Sequence, residues 1–371
     1  MRLRSISLIP IRIPLKEPFI ISLGPLTHAE NVVVRMETID GAVGYGEASP
    51  FRTIHGESIR TCLAIGEDIA NRLINTDCDD AEMLLSLMDH TVFGNTSIKS
   101  AFAIAFHDLL AQQKDVPLYK LLGGTSLRTL HTDYTVSLSD KEKMVSDAVW
   151  IRDKGFPVIK VKLGGDPLED IRRIRAIRSA VGNDISIRID ANQGWDMQGA
   201  ITALQGMADL HIEHCEEPLP RWNFDRLPEL RRHVTIPLMA DESCFNEFDA
   251  QRLIDSNACE GINIKLGKTS GFLRAARIAQ AAKQAKLKLQ VGGFLESRLG
   301  FSASAHFAMA HPEIDCIDFD TPLMFTEDPV QGGLSYGANG GITLEERPGL
   351  GAVLDEPFAT NSEAVVIRKG L

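Results

Sequence analysis

The chain has 371 residues, a net charge of −11 and a hydrophobic fraction of 44%, enough to bury a large core and to form two domains. The acidic balance, without a basic patch that carries interleaved aromatic residues, excludes a nucleic-acid partner, and no apolar run approaches the ~20 residues that span a bilayer. The six cysteines are scattered without a CxxC pair, which argues against a disulfide framework and a zinc site. We expect no signal peptide and a cytoplasmic protein.

Residues 1–125 are predicted to form an α+β domain. Alternating apolar and polar residues predict antiparallel strands at residues 5–9, 31–38 and 43–48. Two stretches, residues 16–29 and 49–58, are too irregular for either kind of element and are predicted to be loops. From residue 58 to 122 apolar residues recur at helical spacing, which predicts a block of helices.

From residue 132 the pattern changes to short apolar strands that alternate with helices. The strands are expected at residues 132–137, 159–163, 185–190, 212–218, 237–242, 262–266, 288–293 and 316–320. Repeated βα units build a parallel sheet, and eight of them close into a (β/α)8 barrel of the TIM type. We predict this barrel over residues 126–330, with a capping domain formed by residues 1–125 and the returning C-terminal segment 331–371.

Five consecutive barrel strands carry a charged residue near their C-terminal ends. These residues are Lys162, Asp190, Glu216, Asp241 and Lys265, at intervals of 24 to 28 residues. Because all strand ends of a closed barrel face the same mouth, three carboxylates between two lysines are expected to converge on one pocket. A single charge at a strand end is usually a solvated loop residue, but strands that are buried on both faces have little other reason to end in charge repeatedly.

The three carboxylates predict a metal site. Asp190, Glu216 and Asp241 offer hard oxygen donors without a histidine or cysteine partner. That donor set suits Mg²⁺, with Mn²⁺ as its close competitor. Within the acidic pairs Glu216-Glu217 and Asp241-Glu242, we expect only the first member to point inward.

The lysines predict proton transfer. Lys160 and Lys162 are two residues apart on one strand and project to one face, and a neighbouring cation lowers the pKa of a lysine, as a general base requires. Lys265 arrives on the sixth strand, across the barrel from the second. Two opposed lysines around one metal-bound carboxylate predict removal of a proton from one face of a carbon and its return on the other, as in a racemase or epimerase. The alternative is that each lysine merely pairs with the ligand carboxylates.

These motifs resemble the enolase superfamily, in its muconate-lactonizing subgroup. The matching stretches are Lys-Val-Lys at 160–162, Asp-Ala-Asn-Gln-Gly-Trp at 190–195, Glu-Glu-Pro-Leu-Pro at 216–220, Ala-Asp-Glu-Ser at 240–243 and Asn-Ile-Lys-Leu at 263–266. The resemblance implies that the Mg²⁺ ligands are Asp190, Glu216 and Asp241. It further implies that Lys162 and Lys265 are the acid/base pair and that Lys160 helps to hold the substrate carboxylate.

The eighth strand narrows this resemblance. Asp318 and Asp320 share one face at the barrel mouth, where they suit a substrate ammonium group. The pattern is similar to the Asp-x-Asp of dipeptide epimerases, which holds the N-terminal amine of the dipeptide. The stretch at residues 292–300 strengthens the match and makes Glu296 a candidate pocket residue, and Thr135 on the first strand is another candidate. An ion pair of the two aspartates with a structural arginine is the alternative.

The first capping loop departs from one branch of these enzymes. Epimerases that act on Ala-Glu resemble one another in carrying a basic residue there, after a Pro-Phe pair. Here Pro18-Phe19 is followed by Ile20 and other uncharged residues, and Phe51 lies on the second loop. Because a buried carboxylate without a partner costs several kcal/mol, acidic substrate side chains are disfavoured. The chain is similar to epimerases for small or hydrophobic dipeptides such as Ala-Ala.

The sequence therefore predicts a Mg²⁺-dependent epimerase that inverts the α carbon of the C-terminal residue of a small or hydrophobic dipeptide through an enediolate. The dipeptide is its expected small-molecule partner, with no nucleic acid and no membrane, and a homo-oligomer is expected. Alternatives on the same fold are an N-acyl amino acid racemase or o-succinylbenzoate synthase, which would not need the acidic pair at 318 and 320, and a muconate-type cycloisomerase. A non-catalytic ligand-binding barrel is a remote alternative.

Overall fold

Two sheets organise the protein, whose computed structural model describes residues 1–360 and 363–369. One is an antiparallel sheet near the N-terminus, and the other is a curled sheet of eight parallel strands. The predicted fold class, a TIM-like barrel with an α+β cap, is confirmed. In the part of the chain that the structure describes, no helix is both long enough and apolar enough to cross a bilayer.

The cap is built from three strands and four helices. The strands are β1 (Leu3–Ile21), β2 (Gly24–Thr38) and β3 (Val43–Ala48), and the helices are α1 (Ile59–Leu73), α2 (Ala81–Thr91), α3 (Thr96–Gln113) and α4 (Leu118–Leu121). Ser58 begins α1 because its side chain and that of Thr61 bond to each other's backbone in a capping box. The helix α3 is buried along nearly its whole length, so it forms the centre of this domain.

The prediction of an irregular loop at residues 16–29 is wrong. β1 and β2 form one long hairpin there, paired as far as Ile21 and Gly24. The register shifts between Pro14 and Phe19, and such a bulge breaks the period-2 alternation by which a strand is recognised. The hairpin therefore extends a regular arm from the cap.

The barrel follows a short strand β4 (Leu130–His131). Its eight strands are β5 (Tyr134–Val136), β6 (Val158–Lys162), β7 (Ser186–Asp190), β8 (Ile212–Glu216), β9 (Leu238–Ala240), β10 (Gly261–Ile264), β11 (Lys288–Val291) and β12 (Ile314–Ile317). They lie in chain order in the sheet, and a parallel bridge between Thr132 and Ile317 links its two ends. The sheet therefore closes on itself.

Helices connect the consecutive strands of the barrel. They are α5 (Lys141–Asp153), α6 (Pro167–Val181), α7 (Met197–Gly206), α8 (Leu227–His233), α9 (Glu247–Asp255), α10 (Phe272–Gln284) and α11 (Arg298–Ala310). In α6 the side chain of Asp166 accepts hydrogen bonds from the N–H groups of Leu168 and Glu169, and Pro167 occupies the first turn. Within the described residues seven helices join the eight strands, because the chain leaves the barrel after β12.

The C-terminal segment packs on both domains. It contains β13 (Val330–Gly332), β14 (Ser335–Tyr336), β15 (Gly341–Thr343), β16 (Ala352–Leu354), α12 (Glu356–Ala359) and β17 (Val365–Arg368). β15 pairs with β4, while β17 pairs with β1 and so extends the sheet of the cap. The predicted boundaries at residues 125 and 330 stay a prediction.

A buried carboxylate ties the cap to the barrel mouth. Glu47, on β3, accepts hydrogen bonds from the backbone N–H groups of Ser297 at 3.0 Å and Gly300 at 2.8 Å, at the start of α11. A helix N-terminus presents free N–H groups and a partial positive charge, so it stabilises an anion. Asn31 joins this contact by donating to both Glu47 and the carbonyl of Leu295. The capping loops are thereby held over the strand ends.

Candidate active site

The three carboxylates at the strand ends lie on neighbouring strands. Asp190 is the last residue of β7, Glu216 is the last residue of β8, and Asp241 directly follows β9. The strand register pairs Lys162 with Asp190 and Asp190 with Glu216, so these side chains leave their strands at the same height. All three carboxylates are at most 1% exposed, and their charge therefore has to be compensated within the protein.

Lys160 compensates part of that charge. Its Nζ lies 2.9 Å from Glu216 Oε2, 3.2 Å from Asp190 Oδ2 and 2.8 Å from Asp318 Oδ2. Burial disfavours the charged form, but these carboxylates outweigh it and hold the pKa of Lys160 well above its usual range. Carboxylates and not the neighbouring lysine therefore dominate the pKa of Lys160, and the expected effect of Lys160 on the general base stays a prediction. The contact of Lys160 with a substrate carboxylate stays a prediction as well.

Lys162 and Lys265 reach one cleft from opposite sides, because β6 and β10 are four strands apart in the eight-stranded sheet. Lys162 Nζ lies 2.7 Å from Asp190 Oδ2, and Lys265 Nζ lies 2.7 Å from Asp241 Oδ2. Burial disfavours the charged form of Lys265, but the carboxylates, with Asp241 foremost, outweigh it and raise its pKa above the usual range. Each lysine is thus paired with a different carboxylate while facing the same space.

The second members of the two acidic pairs are buried too. Glu217 accepts hydrogen bonds from the backbone N–H groups of Asp241 at 2.7 Å and Ser243 at 3.1 Å. Glu242 has one oxygen 3.3 Å from Asn192 Nδ2, and burial, followed by the charge of Asp241, raises the pKa of Glu242 well above its ordinary value. The expectation that only the first member faces the interior is wrong for Glu242, which is buried among the same carboxylates.

Three further buried residues contact the carboxylates and were not predicted from the sequence. Lys268 Nζ lies 2.6 Å from Asp241 Oδ1. Asn263 and Gln290 donate to the carboxylate of Glu216 over 2.8 Å and 3.3 Å. The sequence signal for Lys268 is a second lysine in the otherwise uncharged stretch that follows the sixth strand.

The donor set fits a hard divalent cation. It consists of the carboxylates of Asp190, Glu216 and Asp241, with no histidine or thiolate among them. Asn192, whose N–H donates to Asp190, has a buried Oδ1 without a hydrogen-bond partner in the described part of the chain, and the same holds for Glu242 Oε2. Hard oxygens of this kind suit Mg²⁺ or Mn²⁺. The donor chemistry of these residues suits a metal, and Asp133, Asp318 and Asp320 are a second group of carboxylates close enough to one another to hold an ion.

Asp318 and Asp320 form a second acidic group with Asp133, in which the carboxylate oxygens lie within 4.8 Å of one another. Asp318 is paired with Lys160, and Asp320 Oδ2 accepts from the backbone N–H of Thr135 over 2.6 Å. Burial and the neighbouring Asp318 raise the pKa of Asp320 to about 7. Asp318, Asp320 and Thr135 all line the cleft, and the described ion pairs join neither of the two aspartates to an arginine.

The cap and one barrel loop give the cleft an apolar wall. Its side chains are Phe19, Ile21 and Leu26 from the β1–β2 hairpin, Phe51 and Ile54 from the loop after β3, and Phe294 from the loop after β11. Phe51 thus lies where the sequence predicted it. Ile20 does not line the cleft: its N–H donates to Ser137 Oγ over 2.7 Å and its carbonyl accepts from the N–H of Leu138 over 2.9 Å. Because side chains alternate along a strand, its neighbours on β1 supply the wall instead.

Glu296 lies behind this wall and not in it. Its carboxylate accepts from the backbone N–H of Phe294 over 2.5 Å, and it is absent from the residues that line the cleft. Burial and the nearby Glu47 raise the pKa of Glu296 to about 7. Glu296 thus contacts the loop that carries Phe294, whose ring centroid lies 4.7 Å from Lys265 Nζ, and its contact with a substrate stays a prediction.

The fold and the site together define a class of protein: a capped barrel with three buried carboxylates at neighbouring strand ends and two opposed lysines in the cleft beside them. The chain belongs to the enolase superfamily: residues 4–123 match the family "Mandelate racemase / muconate lactonizing enzyme, N-terminal domain", and residues 143–358 match "Enolase C-terminal domain-like". The resemblance noted in the sequence is confirmed.

Several characterised relatives span nearly the whole chain. The D-Ala-D/L-Ala epimerase of Cytophaga hutchinsonii is 50% identical over 355 residues, which cover 96% of each chain. The L-Ala-D/L-Glu epimerase of Clostridium acetobutylicum is 39% identical over 92% of this chain and 96% of its own. The N-succinyl-L-Arg/Lys racemase of Bacillus cereus is 34% identical over 96% of each. These names confirm the prediction of an isomerase.

A solved structure agrees closely with the fold. The dipeptide epimerase from Cytophaga hutchinsonii, complexed with Mg and the dipeptide D-Ala-L-Val, superposes with a TM-score of 0.98 at 49% sequence identity. The match covers 99% of this chain and 100% of that chain. That protein therefore has a metal and a dipeptide in the same architecture.

Proposed function

We propose that this protein is a Mg²⁺-dependent dipeptide epimerase that inverts the α carbon of the C-terminal residue of a small or hydrophobic dipeptide. The observation that carries the proposal is the meeting of three features in one cleft. These are a lysine on each side, Lys162 and Lys265, an acidic pair, Asp318 and Asp320, and an apolar wall from the cap.

Asp190, Glu216 and Asp241 are proposed to hold the metal. Their hard oxygens suit Mg²⁺, and Mn²⁺ is an acceptable replacement. When bound there, the metal supplies Lewis-acid stabilisation of the negative charge that develops on the substrate carboxylate as its α-proton leaves.

Lys162 and Lys265 are proposed to move the proton. One neutral lysine takes the α-proton from one face of the carbon, and the ammonium group of the other returns a proton to the opposite face. Their positions on β6 and β10 give the two faces separate donors, which is the requirement for inversion. A lysine of ordinary pKa is neutral only about once in 2,500 molecules at pH 7, a cost of roughly 4.6 kcal/mol. The carboxylates raise the pKa of Lys265, and a cation held by those carboxylates would offset their charge and so lower this cost.

Asp318 and Asp320 are proposed to orient the substrate by its free amine. Charge-assisted hydrogen bonds from an ammonium group to carboxylates are strong and directional. The N–H of Thr135, which holds one oxygen of Asp320 at 2.6 Å, keeps that carboxylate in place. An N-acyl amino acid has no charge for this pair to bind, and the pair therefore favours a dipeptide over the substrate of an N-acyl racemase.

The apolar wall is proposed to select the side chain of the C-terminal residue. Phe19, Ile21 and Leu26 from the hairpin offer no partner for a carboxylate, and burying an unpaired charge there costs several kcal/mol. A small or hydrophobic side chain meets no such penalty. The 50% identity to an enzyme named for Ala-Ala agrees with this choice.

The test is solvent exchange. A pooled library of L,L-dipeptides is incubated with the enzyme and Mg²⁺ in D₂O, and mass spectrometry detects a gain of one mass unit at an α position. The proposal expects exchange in apolar dipeptides, which is lost on adding a chelator and in the double variant Lys162→Ala/Lys265→Ala. Exchange confined to acidic dipeptides would contradict the proposed selectivity, and exchange only in N-acyl amino acids would favour the racemase alternative.

A further inference from the structure

Lys268 is a fully buried lysine that belongs to neither side of the cleft. It lies in the turn that follows β10, three residues after Lys265, and its exposed fraction is 0%. Its Nζ lies 2.6 Å from Asp241 Oδ1, 2.5 Å from the Asp241 carbonyl and 2.9 Å from the carbonyl of Asn263. An ammonium group buried this completely needs each of those contacts to offset its desolvation.

The contacts of Lys268 are all with the protein. Its ammonium group donates to the carbonyls of Asp241 and Asn263 and forms an ion pair with the Asp241 carboxylate, whose oxygens accept no hydrogen bond in the described part of the chain. Lys268 also does not line the cleft, whereas Lys265 does. Of the two lysines in this turn, only Lys265 is placed to meet a substrate.

The oxygens that Lys268 contacts lie where two strands separate. Within the described residues, β9 and β10 pair at Met239 with Gly261 and at Ala240 with Ile262. Just beyond that point, Lys268 donates to the carbonyl of Asp241, which also accepts from the N–H of Cys244 at 3.0 Å, and to the carbonyl of Asn263. The ammonium group therefore links the two chain segments where the strand pairing ends.

The contacts of Lys268 extend to two of the three proposed metal ligands. Lys268 contacts the Asp241 carboxylate directly, and Asn263, whose carbonyl it also binds, donates its Nδ2 to Glu216 Oε1 over 2.8 Å. Since Asp241 directly follows β9, it lies outside the strand ladder, and a fixed cation at Oδ1 limits how far its carboxylate rotates. The other oxygen, Oδ2, faces Lys265 at 2.7 Å.

We propose that Lys268 is a positioning residue for the metal site, which holds the Asp241 carboxylate by one oxygen and, through Asn263, steadies Glu216. The inference rests on the proposed function, because it takes Asp241 to be a metal ligand. Without Lys268, the Asp241 carboxylate keeps its ion pair with Lys265 but loses the cation at Oδ1. The carbonyl of Asp241 then keeps the N–H of Cys244 as a donor, while the carbonyl of Asn263 loses its ammonium donor. The ligand carboxylates then have to be ordered when the metal binds. Because this ordering costs free energy, the affinity for the metal falls.

A titration with Mn²⁺, in which electron paramagnetic resonance measures the free ion, tests this proposal without relying on turnover. Lys268→Met removes the charge and keeps the length of the side chain, and we expect it to weaken Mn²⁺ binding by at least about tenfold, which corresponds to about 1.4 kcal/mol. Lys268→Arg keeps the charge and should recover part of the affinity. The matched control is Lys283→Met, at an exposed lysine on α10, which should bind Mn²⁺ as the wild type does.

Two further variants keep each outcome interpretable. Lys268→Gln retains two N–H donors for the carbonyls, so it decides the question if Lys268→Met does not fold. A purely structural role would lower the unfolding temperature of the metal-free variants but leave the Mn²⁺ affinity of the folded protein unchanged, and that result overturns the inference. Asp241→Asn separates the two proposals: if it binds Mn²⁺ as tightly as the wild type, the proposed metal site itself is wrong.

Discussion

The barrel mouth and the capping hairpin border the same cleft but are built in opposite ways. At the mouth the functional side chains are charged, buried and paired, as in the contact of Lys162 with Asp190 at 2.7 Å. On the hairpin the backbone is held by hydrogen bonds, from Ile20 to Ser137 and Leu138. The side chains that line the cleft there are apolar, and Phe19 has Lys162 Nζ 5.9 Å from its ring centroid. At the mouth, ion pairs fix the position of each functional side chain. On the hairpin, backbone hydrogen bonds fix the position of the strand but not the conformation of the side chains that line the cleft.

This difference predicts how the two regions respond to substitution. Removing one partner of a buried ion pair leaves an uncompensated charge and is severe. Replacing an apolar side chain on the hairpin changes buried area and the choice of substrate, while the machinery for proton transfer stays in place. We therefore expect large losses of rate at the mouth and shifts of selectivity at the hairpin.

The largest effect is expected at the mouth. Lys265→Ala removes one of the two proton carriers, and general acid–base catalysis is worth about 10²- to 10⁴-fold, so kcat for epimerisation should fall by about 10³-fold or more. Polarimetry or chiral chromatography of the dipeptide product measures it. Lys283→Ala, at an exposed lysine that pairs with Glu313, is the control and should leave kcat unchanged. A loss below tenfold for Lys265→Ala would place the proton transfer elsewhere.

A smaller effect is expected at the acidic pair. Asp318→Asn removes a charge proposed to bind the substrate ammonium group, and a hydrogen bond to a charged partner is worth about 1.5–3 kcal/mol. The kcat/KM for dipeptides should therefore fall by about 10- to 100-fold relative to that for N-acyl amino acids in the same variant. The ratio of the two kcat/KM values is used because losing the ion pair between Asp318 and Lys160 should affect both classes of substrate equally. An equal loss for both classes of substrate means that the pair does not recognise the amine.

The hairpin should change the choice of substrate with less loss of rate. Leu26→Arg introduces a cation on the wall, so the ratio of kcat/KM for Ala-Glu to that for Ala-Ala should rise by about tenfold. Ile20→Arg is the matched control on the same hairpin, because Ile20 does not line the cleft; its ratio should stay within about twofold of the wild-type value. The account of the wall is refuted by similar shifts in both variants.

The smallest effect concerns stability away from the cleft. Asp108, on α3, accepts hydrogen bonds from the N–H groups of Tyr45 and Leu350, and burial raises the pKa of Asp108 to about 6. Between about pH 4 and 6 the folded protein therefore holds a proton that the unfolded chain releases, and this group's contribution to stability falls by up to about 3 kcal/mol as pH rises.

Urea unfolding across that pH range measures the contribution. The pH-dependent contribution of Asp108 is absent in Asp108→Asn. The difference in the free energy of unfolding between wild type and this variant should therefore shrink as pH rises from 4 to 6. Asp115→Asn, at an exposed position of the same domain, should give a difference that does not change with pH. A constant difference for Asp108→Asn would contradict the assignment.

The mouth was more predictable from the sequence than the hairpin, and the reason is physical. Buried parallel strands read as apolar runs, so a charge such as Asp190 at the end of one is conspicuous, and the common spacing puts the strand ends at one mouth. On the hairpin, the register shift between Pro14 and Phe19 breaks the alternation. The wall was expected there, but the wrong face of the strand, with Ile20, was assigned to it.

Two features of the mouth were missed because they depend on how the chain folds back. Lys268 is buried by the turn after β10, and a turn that returns beneath a strand end leaves no periodic pattern in the sequence. The carboxylate of Glu296, a residue assigned to the pocket from the sequence, accepts a hydrogen bond from the backbone N–H of Phe294, and this contact was not predicted. Their positions in the sequence place both residues near the barrel mouth, but they do not show which groups the two side chains contact.

The central claim is that two lysines serve opposite faces of one carbon, and α-proton exchange in D₂O tests it directly. The two epimers of an apolar dipeptide are incubated separately with wild type, Lys162→Ala and Lys265→Ala, and deuterium at the α position is measured by mass spectrometry. We predict that the wild type exchanges the α-proton of both epimers. Each variant should still exchange the α-proton of one epimer without inverting it, and the epimer that is exchanged should differ between the two variants. Retention of the same epimer by both variants, or unchanged exchange in either, would contradict the account.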